Sequence, residues 1–295
     1  MRVFVTGASG FVGSAVVQDL LSAGHEVLGL ARSDASAAAI EKAGAKVHRG
    51  SVDDLDSLKR GAAQADGVIH TAFIHDFSNF VENCEIDRRA ITAMGEVLAG
   101  TDTPLVITSG TGTSPGRVSR ENERFPADHP NPRIASEQAA DVVEAMGAKV
   151  MTVRLPQVHG PHDHGFVPIT INIARDKGRA AYVGDGANRW PAVHRLDAAR
   201  LYRLALEKGT AGARYNAVAE EGISLRALEE VIGRHLDLPV VSIAPEEAAD
   251  YYGWFAAFAS MDMPASSAWT QETLGWHPTA PDLMSDLENE DYFRA

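Results

Sequence analysis

The sequence has almost no cysteine and no long apolar run. Its single cysteine, Cys84, leaves no internal disulfide possible within the 295 residues, which suits a reducing compartment, and we expect a cytoplasmic protein. No stretch approaches the roughly 20 apolar residues needed to span a bilayer. No secretory signal precedes the first expected strand. These absences favour a protein that does not bind membranes.

Positive charge is also scarce. The chain has 27 Lys and Arg against 40 Asp and Glu, for a formal net charge of −13. Such a balance makes non-specific binding to nucleic acid or anionic membranes unfavourable, so we expect a small-molecule substrate as the partner. With 45% hydrophobic residues, the chain is long enough for one large α/β domain with an appended part.

The first half of the chain alternates short β-branched runs with helix-like segments. The strand runs are continuously apolar rather than alternating, which is typical of a parallel sheet covered on both faces. Strands are predicted at 2–6, 26–31, 46–49, 67–71, 104–108 and 149–153, and helices at 11–23, 35–43, 54–64, 79–99 and 134–147. This order predicts an α/β fold with a Rossmann-like, doubly wound parallel sheet.

The regularity ends after Leu155. Residues 156–168 (PQVHGPHDHGFVP) are rich in Pro, Gly and His and are interpreted as a loop. Two more helices, 195–208 and 224–235, and short strands near 181–183, 213–217 and 239–243 follow. We predict a dinucleotide-binding domain over 1–160, to which 192–217 return, and a smaller substrate-capping region made of 161–191 and 218–295.

A glycine-rich turn follows the first strand. In TGASGFVG, residues 6–13, Gly7 permits a tight turn, Gly10 lets the backbone approach a pyrophosphate, and Gly13 lets helix and strand pack closely. The free N–H groups of the helix that begins here would hold the anion. The alternative is a turn that simply uses glycine, but the strand, the spacing and the helix all favour dinucleotide binding.

The end of the second strand indicates which dinucleotide is bound. A carboxylate there would bind the ribose hydroxyls of NAD, but this strand ends in Ala31 and is followed by Arg32 and Ser33. A guanidinium suits the 2′-phosphate of NADP, which we therefore favour over NAD. The alternative is that Arg32 is only a solvated loop cation, and the nearby Asp34 could weaken the preference.

The form TGxxGxxG resembles the extended branch of the short-chain dehydrogenase/reductase superfamily, which includes epimerases and dehydratases. Segments 67–72, 104–110, 153–161, 183–208 and 266–279 resemble later motifs of that branch in the same order. The resemblance implies a homodimer formed through helices 79–99 and 134–147. It also implies cofactor contacts from Thr6, Gly7, Ser9, Gly10, Phe11, Val12, Gly13, Arg32, Ser33, Val52, Thr71, Ala72 and Phe73.

The family's catalytic pair is a Tyr and a Lys four residues later, in which the Lys lowers the pKa of the phenol. In RIASEQAAD, residues 133–141, Arg133 occupies the Tyr place and Glu137 the Lys place. No Tyr in the sequence is followed four residues later by Lys. The chain thus resembles an atypical subgroup that keeps the glycine turn and lacks the usual catalytic residues. An arginine cannot serve as the acid, because its pKa is too high for it to release a proton.

Arg133 and Glu137 are four residues apart and most simply form an ion pair on the helix surface. The alternative is that Arg133 faces the nicotinamide and binds a carbonyl or anionic oxygen. The family's Ser/Thr place falls on Gly110, so the neighbouring Ser109 and Thr111 are the candidates to orient a substrate oxygen. The family's Asn place falls on a glutamate, Glu85.

Other candidates are histidines and aromatic residues near the expected substrate site. Histidine is the usual acid near neutral pH, and His159 stands in the tyrosine place of the family's Tyr-Gly-Pro turn. We expect substrate contacts from His75, His164, Trp190 and Tyr251. No metal site is expected, because the His-rich loop lacks a second cluster of ligands.

These observations favour an NADP(H)-dependent oxidoreductase that acts on a small, partly apolar carbonyl or alcohol with a non-standard active site. The alternative is a non-catalytic NADP-binding redox sensor or partner-binding protein. A nucleotide-sugar epimerase or dehydratase is a weaker alternative. That chemistry needs the same tyrosine base, and the sequence shows no added basic cluster for a diphosphate.

Overall fold

The computed structural model describes residues 1–126, 128–129, 131–288 and 292–293. Its strands are β1 (Arg2–Thr6), β2 (Glu26–Ala31), β3 (Lys46–Arg49), β4 (Gly67–His70), β5 (Pro104–Gly110), β6 (Lys149–Leu155), β7 (Gln157–His159), β8 (Ala180–Val183), β9 (Arg189–His194), β10 (Arg214–Asn216), β11 (Glu220–Ser224) and β12 (Val240–Ile243).

The α-helices are α1 (Phe11–Ser22), α2 (Asp34–Lys42), α3 (Leu55–Ala63), α4 (Phe80–Leu98), α5 (Ala135–Ala145), α6 (Phe166–Lys177), α7 (Arg195–Lys208), α8 (Leu225–Leu236), α9 (Ala248–Tyr252), α10 (Ala256–Ala259), α11 (Ala268–Leu274) and α12 (Leu283–Leu287). No helix among the described residues is long and apolar enough to cross a membrane.

Seven strands form one parallel sheet in the order β10-β6-β5-β4-β1-β2-β3. Helices cover both faces: α1 and α7 pack over one core, and α3, α4 and α5 over the other. The strand sequences are continuously apolar because the side chains on both faces of each strand are buried under helices. The prediction of a doubly wound, Rossmann-like fold is confirmed.

A smaller region with its own core stands beside this sheet. Strands β7, β9 and β11 form one small sheet and β8 and β12 another, and α6 and α8 pack with them. Within the segment that returns toward the main sheet, α7 packs on α1 and β10 pairs with β6.

The interpretation of residues 156–168 as a loop was wrong at both ends. β7 occupies 157–159, and α6 begins at Phe166. Pro168 lies in the first turn of α6, where a missing N–H breaks no helical hydrogen bond. Strands β9 and β11 were also missed, because an antiparallel pairing between distant segments leaves no local signal.

Glu229 is a buried carboxyl in the core of the smaller region. Its Oε1 accepts a hydrogen bond from the Tyr252 hydroxyl at 3.3 Å, and its Oε2 has no hydrogen-bond partner among the described residues. Burial raises the pKa of Glu229 to about 8. The side chain is therefore largely protonated at neutral pH.

We expect Glu229→Gln to stabilise the protein at alkaline pH. Between the ordinary pKa of 4.5 and the folded value of about 8, the folded state holds a proton that the unfolded chain has released. Stability therefore falls as pH rises through this window. The variant should exceed the parent by about 1–3 kcal/mol near pH 8.5, and the difference should shrink near pH 5. Urea unfolding at both pH values measures this, with the exposed neighbour Glu230→Gln as control. A constant difference would contradict the assignment.

Candidate active site

The glycine turn lies where β1 ends, at the same edge of the sheet at which β4 and β5 end. Gly7 has φ +69°, and a Cβ there would lie 2.8 Å from the backbone nitrogen of Ala72. A Cβ on Gly13 would lie 2.0 Å from the Gly7 carbonyl oxygen. Both positions thus admit only glycine, because the turn, the segment after β4 and the first turn of α1 pack in direct contact.

The N-terminus of α1 is free to bind an anion. Its N-cap residue is Gly10, and within the described ranges no side chain caps the first N–H groups, which belong to Phe11, Val12 and Gly13. Ser9 is exposed beside them. The turn therefore fits a pyrophosphate held by backbone N–H groups and the helix dipole.

The residues after β2 form an exposed basic corner. Arg32 is exposed, and the neighbouring Asp34 pairs with Arg49 at 2.7 Å. Asp34 is thus bound to a second cation, rather than to Arg32. The Ser33 hydroxyl accepts a hydrogen bond from the backbone of the first turn of α2, and Val52 packs at the edge of the adjoining core. A phosphate here could pair with Arg32, whereas Arg49 is already paired with Asp34.

A buried chain of hydrogen bonds connects the glycine turn with α4. The Thr6 hydroxyl contacts Nδ1 of His70 at 2.7 Å, and Nε2 of His70 contacts Oδ1 of Asp87 at 2.9 Å. All three side chains are buried. After β4, the Thr71 hydroxyl donates to the Thr6 carbonyl at 2.8 Å, and Ala72 donates its N–H to the Thr6 hydroxyl at 3.2 Å. These hydrogen bonds hold together the ends of β1 and β4, which are expected to lie beside the nicotinamide.

Asp87 also binds the residue in the tyrosine place. Its Oδ2 accepts from Nη1 of Arg133 at 2.8 Å and from the Ser136 hydroxyl at 2.5 Å. Burial alone would raise the pKa of Asp87, but Arg133, His70 and Ser136 together hold that pKa below its ordinary value. Asp87 is therefore a buried carboxylate that fixes a cation at the edge of the sheet.

The expected ion pair between Arg133 and Glu137 is wrong. Arg133 lies in a 3-10 turn, Pro132–Ile134, ahead of α5, so it is not on the surface of the helix that carries Glu137. Its guanidinium reaches inward, lies 4.2 Å from the centre of the Phe73 ring, and donates from Nη2 to the Thr108 carbonyl at 3.1 Å. Its side chain is 17% exposed.

Two donors of Arg133 remain for a ligand. A guanidinium has five N–H groups. Within the part of the chain that the structure describes, Nη1 uses both of its own on Asp87 and Ser136, and Nη2 uses one on Thr108. The Nε–H and one Nη2–H therefore have no protein acceptor there. They form a fixed, positively charged pair of donors next to Phe73.

Glu137, in the lysine place, points away from this site. It is buried and receives hydrogen bonds from Arg154, at 2.7 and 2.8 Å, and from Arg214, at 2.8 Å. These arginines lie on the neighbouring strands β6 and β10. Glu137 is thus part of a buried ion-pair network beneath α5.

The serine and threonine candidates at the end of β5 differ in exposure. Ser109 is 3% exposed, and its hydroxyl has no hydrogen-bond partner among the described residues. Thr111 is partly exposed, and its N–H donates to the Leu155 carbonyl at 3.1 Å. At Gly110, between them, a Cβ would come no nearer than 3.9 Å to another residue, so the space of a family hydroxyl is open. Thr111 is the hydroxyl more accessible to a substrate.

An aromatic wall continues from this edge into the smaller region. The rings of Phe73 and His75 meet edge to face at 5.2 Å, and Phe77 stacks on Trp254 at 5.0 Å. His75 is exposed at the surface, but desolvation by its surroundings and the charge of Arg133 lower its pKa. Its ring is therefore neutral near pH 7. The wall would favour a partly apolar substrate.

The histidines of residues 159–164 do not lie together at one site. His159 is fully buried, with Nδ1 2.9 Å from Oδ2 of Asp286, so it has a structural position rather than the proposed access to a substrate. His164 is exposed and packs edge to face against Phe11, at the start of α1. No group of three or more His, Cys, Asp or Glu residues that could hold a metal is found in the described ranges.

Two aromatic candidates also belong to the interior. Trp190 is 2% exposed within the core of the smaller region, where its ring lies near Phe166 and Phe255. Tyr251 is 4% exposed, and its hydroxyl donates to the Arg179 carbonyl at 2.5 Å. Both side chains are thus used in packing, and direct contact with a substrate, as expected from the sequence, is not supported by their positions.

Three residues of the site were missed: His70, Asp87 and Ser136. The sequence contained partial signals. His70 ends an otherwise apolar strand, and Asp87 lies on the buried face of α4 among Cys84, Ala90 and Ile91. A charged residue on the apolar face of a helix indicates a buried partner, but it does not indicate which one.

Comparison with known proteins decides the family. The model of the NAD dependent epimerase/dehydratase family matches residues 3–218. The chain belongs to this family. Relatives within it include epimerases, dehydratases and reductases, so membership establishes the fold and a broad class of enzymes rather than one reaction.

Individual family members span a wide range of similarity. An uncharacterized protein of Schizosaccharomyces pombe is 51% identical over 99% of this chain and 100% of its own length. A UDP-glucose 4-epimerase of Streptomyces lividans is 27% identical over 96% of this chain and 93% of its own. The crystal structure of the dTDP-glucose 4,6-dehydratase DesIV of Streptomyces venezuelae, with NAD bound, superimposes with a TM-score of 0.77 at 21% identity, over 99% and 97% of the two chains.

Proposed function

We propose that this protein is an NADP(H)-dependent oxidoreductase acting on a small, partly apolar carbonyl or alcohol. The observation that carries the proposal is Arg133, whose guanidinium is held beside Phe73 by Asp87 and the Thr108 carbonyl and keeps two N–H donors for a ligand. A fixed cation at this position can stabilise the negative charge that develops on a carbonyl oxygen during reduction.

The residues fit the cofactor in three places. The glycine turn and the free N-terminus of α1 would hold the pyrophosphate, Arg32 the 2′-phosphate, and the segment 71–73 would line the nicotinamide. When bound, the cofactor supplies the hydride. The protein itself would orient the substrate oxygen with Arg133 and Thr111 and cover the apolar part with the aromatic wall.

A proton must also reach the substrate oxygen. Arg133 cannot release one, and the lowered pKa of His75 leaves its ring neutral near pH 7. We therefore propose that water entering the partly exposed cleft supplies the proton. In this proposal Arg133 binds the oxygen and water supplies the proton. In the family's Tyr–Lys pair, by contrast, one side chain both binds the oxygen and exchanges the proton.

We expect Arg133→Leu to lower kcat/KM by roughly 10²–10³-fold with a carbonyl substrate found in a panel of aldehydes and ketones. The reason is loss of the charged donors at the oxygen. NADPH consumption measures turnover, and thermal melting with and without NADPH measures folding and cofactor binding. Arg89→Leu, an exposed arginine on α4, is the control. Equal turnover by Arg133→Leu and the parent would exclude this role.

Arg32→Glu should reverse the cofactor preference. Loss of a charge-assisted contact and gain of a carboxylate should weaken NADPH binding about 10- to 100-fold relative to NADH. Titration of both cofactors against the parent, the variant and Arg60→Glu, an exposed arginine on α3, measures this. If the parent binds NADH as tightly as NADPH, the preference drawn from Arg32 is wrong.

A non-catalytic NADP-binding sensor is the second candidate. The specific observations in its favour are the Arg133–Asp87 ion pair and the missing hydroxyl at Gly110. A sensor would be stabilised by NADPH without consuming it with any panel member. Conversion of UDP-glucose would instead favour the epimerase chemistry of the Streptomyces lividans relative.

A further inference from the structure

A second cavity opens at the β10 edge of the main sheet, distinct from the glycine turn. It encloses about 500 Å³ and is lined by charged and aromatic side chains that include Arg120, Arg124, Arg214 and Trp269. This volume lies within the range of about 300–1,000 Å³ that is typical of small-molecule sites.

One wall of the cavity is held by buried charge. Nη2 of Arg154 donates to the Glu123 carbonyl at 2.7 Å, and Nη1 lies 3.4 Å from the Arg120 carbonyl. Arg154 is itself 1% exposed and fixed by Glu137. The segment 120–123 is therefore anchored to β6 through a guanidinium that is already ordered, so this wall is formed before any ligand arrives.

The opposite wall is α11, and Glu121 joins it to the first wall. The buried carboxylate of Glu121 accepts from the N–H of Thr270 at 2.9 Å and from its hydroxyl at 2.8 Å. This contact fixes the first turn of α11, where Trp269 is 44% exposed. One face of the indole lies flat on Tyr215, with the rings 5.5 Å apart and 9° from parallel. The other face is available to a second ring.

The ion pairs around the cavity do not include Arg120. Arg214 and Arg124 share Asp141, and Arg214 and Arg154 share Glu137. The Arg120 side chain is exposed and makes no ion pair or hydrogen bond to another described residue. The Arg120 guanidinium thus lines the same cavity as the exposed indole of Trp269. One wall is held by the buried Arg154–Glu137 ion pair and the other by the Glu121–Thr270 hydrogen bonds.

We propose that this cavity binds a small aromatic anion, with its ring stacked on Trp269 and its carboxylate or phosphate paired with Arg120. A guanidinium matches either oxyanion through paired hydrogen bonds, and the indole matches the ring. The Arg154–Glu137 ion pair behind one wall and the Glu121–Thr270 hydrogen bonds at the other hold the segments that carry these two side chains.

Calorimetric titration of the full-length protein tests the site with two probes. Benzoate carries a carboxylate. Adenosine monophosphate carries a phosphate and is added with excess NADP⁺, which occupies the glycine turn. We expect at least one probe to bind, and Arg120→Gln and Trp269→Leu each to weaken it at least roughly tenfold. Trp269→Phe keeps a ring and should retain binding. Melting temperatures check that the variants fold.

Matched controls separate this site from the rest of the molecule. Arg60→Gln removes an exposed arginine elsewhere, and Trp254→Leu removes an exposed tryptophan at the aromatic wall; neither should change binding of the probe. Cyclohexanecarboxylate and inorganic phosphate, which lack an aromatic ring, should bind at least roughly tenfold more weakly. The proposal is overturned if neither probe binds, if both Arg120→Gln and Trp269→Leu bind as the parent does, or if the non-aromatic anions bind equally well.

Discussion

We expect Asp87→Ala to lower the free energy of unfolding by about 3–5 kcal/mol, because it leaves the buried His70 and the partly buried Arg133 without their carboxylate. For a chain of this size the melting temperature should fall by roughly 10 °C. Chemical and thermal unfolding measure the change. The variant should also lose activity beyond what the loss of folded protein explains, since Arg133 is no longer oriented.

Glu85→Ala provides a control two residues earlier on the same helix. Glu85 is 41% exposed and pairs with Arg88, so its loss should cost no more than about 0.5 kcal/mol. The stabilisation from Asp87 is present above the ordinary pKa of 3.8 and is lost as pH falls through the lowered folded value. If the effects of the two variants were equal at neutral pH, Asp87 would have no special role in stability.

The second large effect is expected at Glu137. Glu137→Ala should destabilise the protein by about 3–5 kcal/mol, because Arg154 and Arg214 would remain buried without a carboxylate. Burial by itself would raise the pKa of Glu137, but the two arginines hold that pKa below its ordinary value. The parent is therefore charged throughout the neutral range. Urea unfolding at pH 7 measures the loss.

Two further variants test whether the loss of the buried carboxylate causes the destabilisation of Glu137→Ala. Glu82→Ala on α4 removes an exposed, ion-paired glutamate and should change stability by no more than about 0.5 kcal/mol. Glu137→Gln keeps acceptor geometry for one arginine without the charge and should fall between the parent and the alanine variant. If Glu137→Ala were as stable as Glu82→Ala, the buried network would not stabilise the fold.

The sequence predicted the sheet well because the signals for its strands and helices lie close together along the chain. Each parallel strand is an apolar run next to a helix with its own periodicity, so both signals lie within about a dozen residues of each other. The glycine turn was equally accessible, because its glycine spacing between a strand and a helix is visible within residues 6–13. The contacts that require Gly7, with Thr71 and Ala72 after β4, appear only in the tertiary structure. The loop prediction for residues 156–168 was wrong because Pro and Gly indicate turns even where a short strand and a helix adjoin them.

The pair Arg133 and Glu137 shows the limit of this approach. Spacing along the chain suggested that they contact each other, since four residues span one helical turn. The partner of Arg133 is instead Asp87, 46 residues earlier, and the partners of Glu137 are Arg154 and Arg214, 17 and 77 residues later. Arg133 lies in the 3-10 turn before α5 and Glu137 within the helix, so the two are not neighbours on one helix surface.

By itself, the sequence determined the order of strands and helices, the position of the glycine-rich turn and the absence of a Tyr–Lys pair, because these are properties of neighbouring residues. Only the tertiary structure decided which contacts are made by Arg133 and Glu137, the residues in the Tyr and Lys positions. Buried charges must find partners wherever the chain brings them, and those partners come from distant segments. The packing of α4 and α5 thereby makes Arg133 a fixed donor at the sheet edge and Glu137 the centre of a separate network.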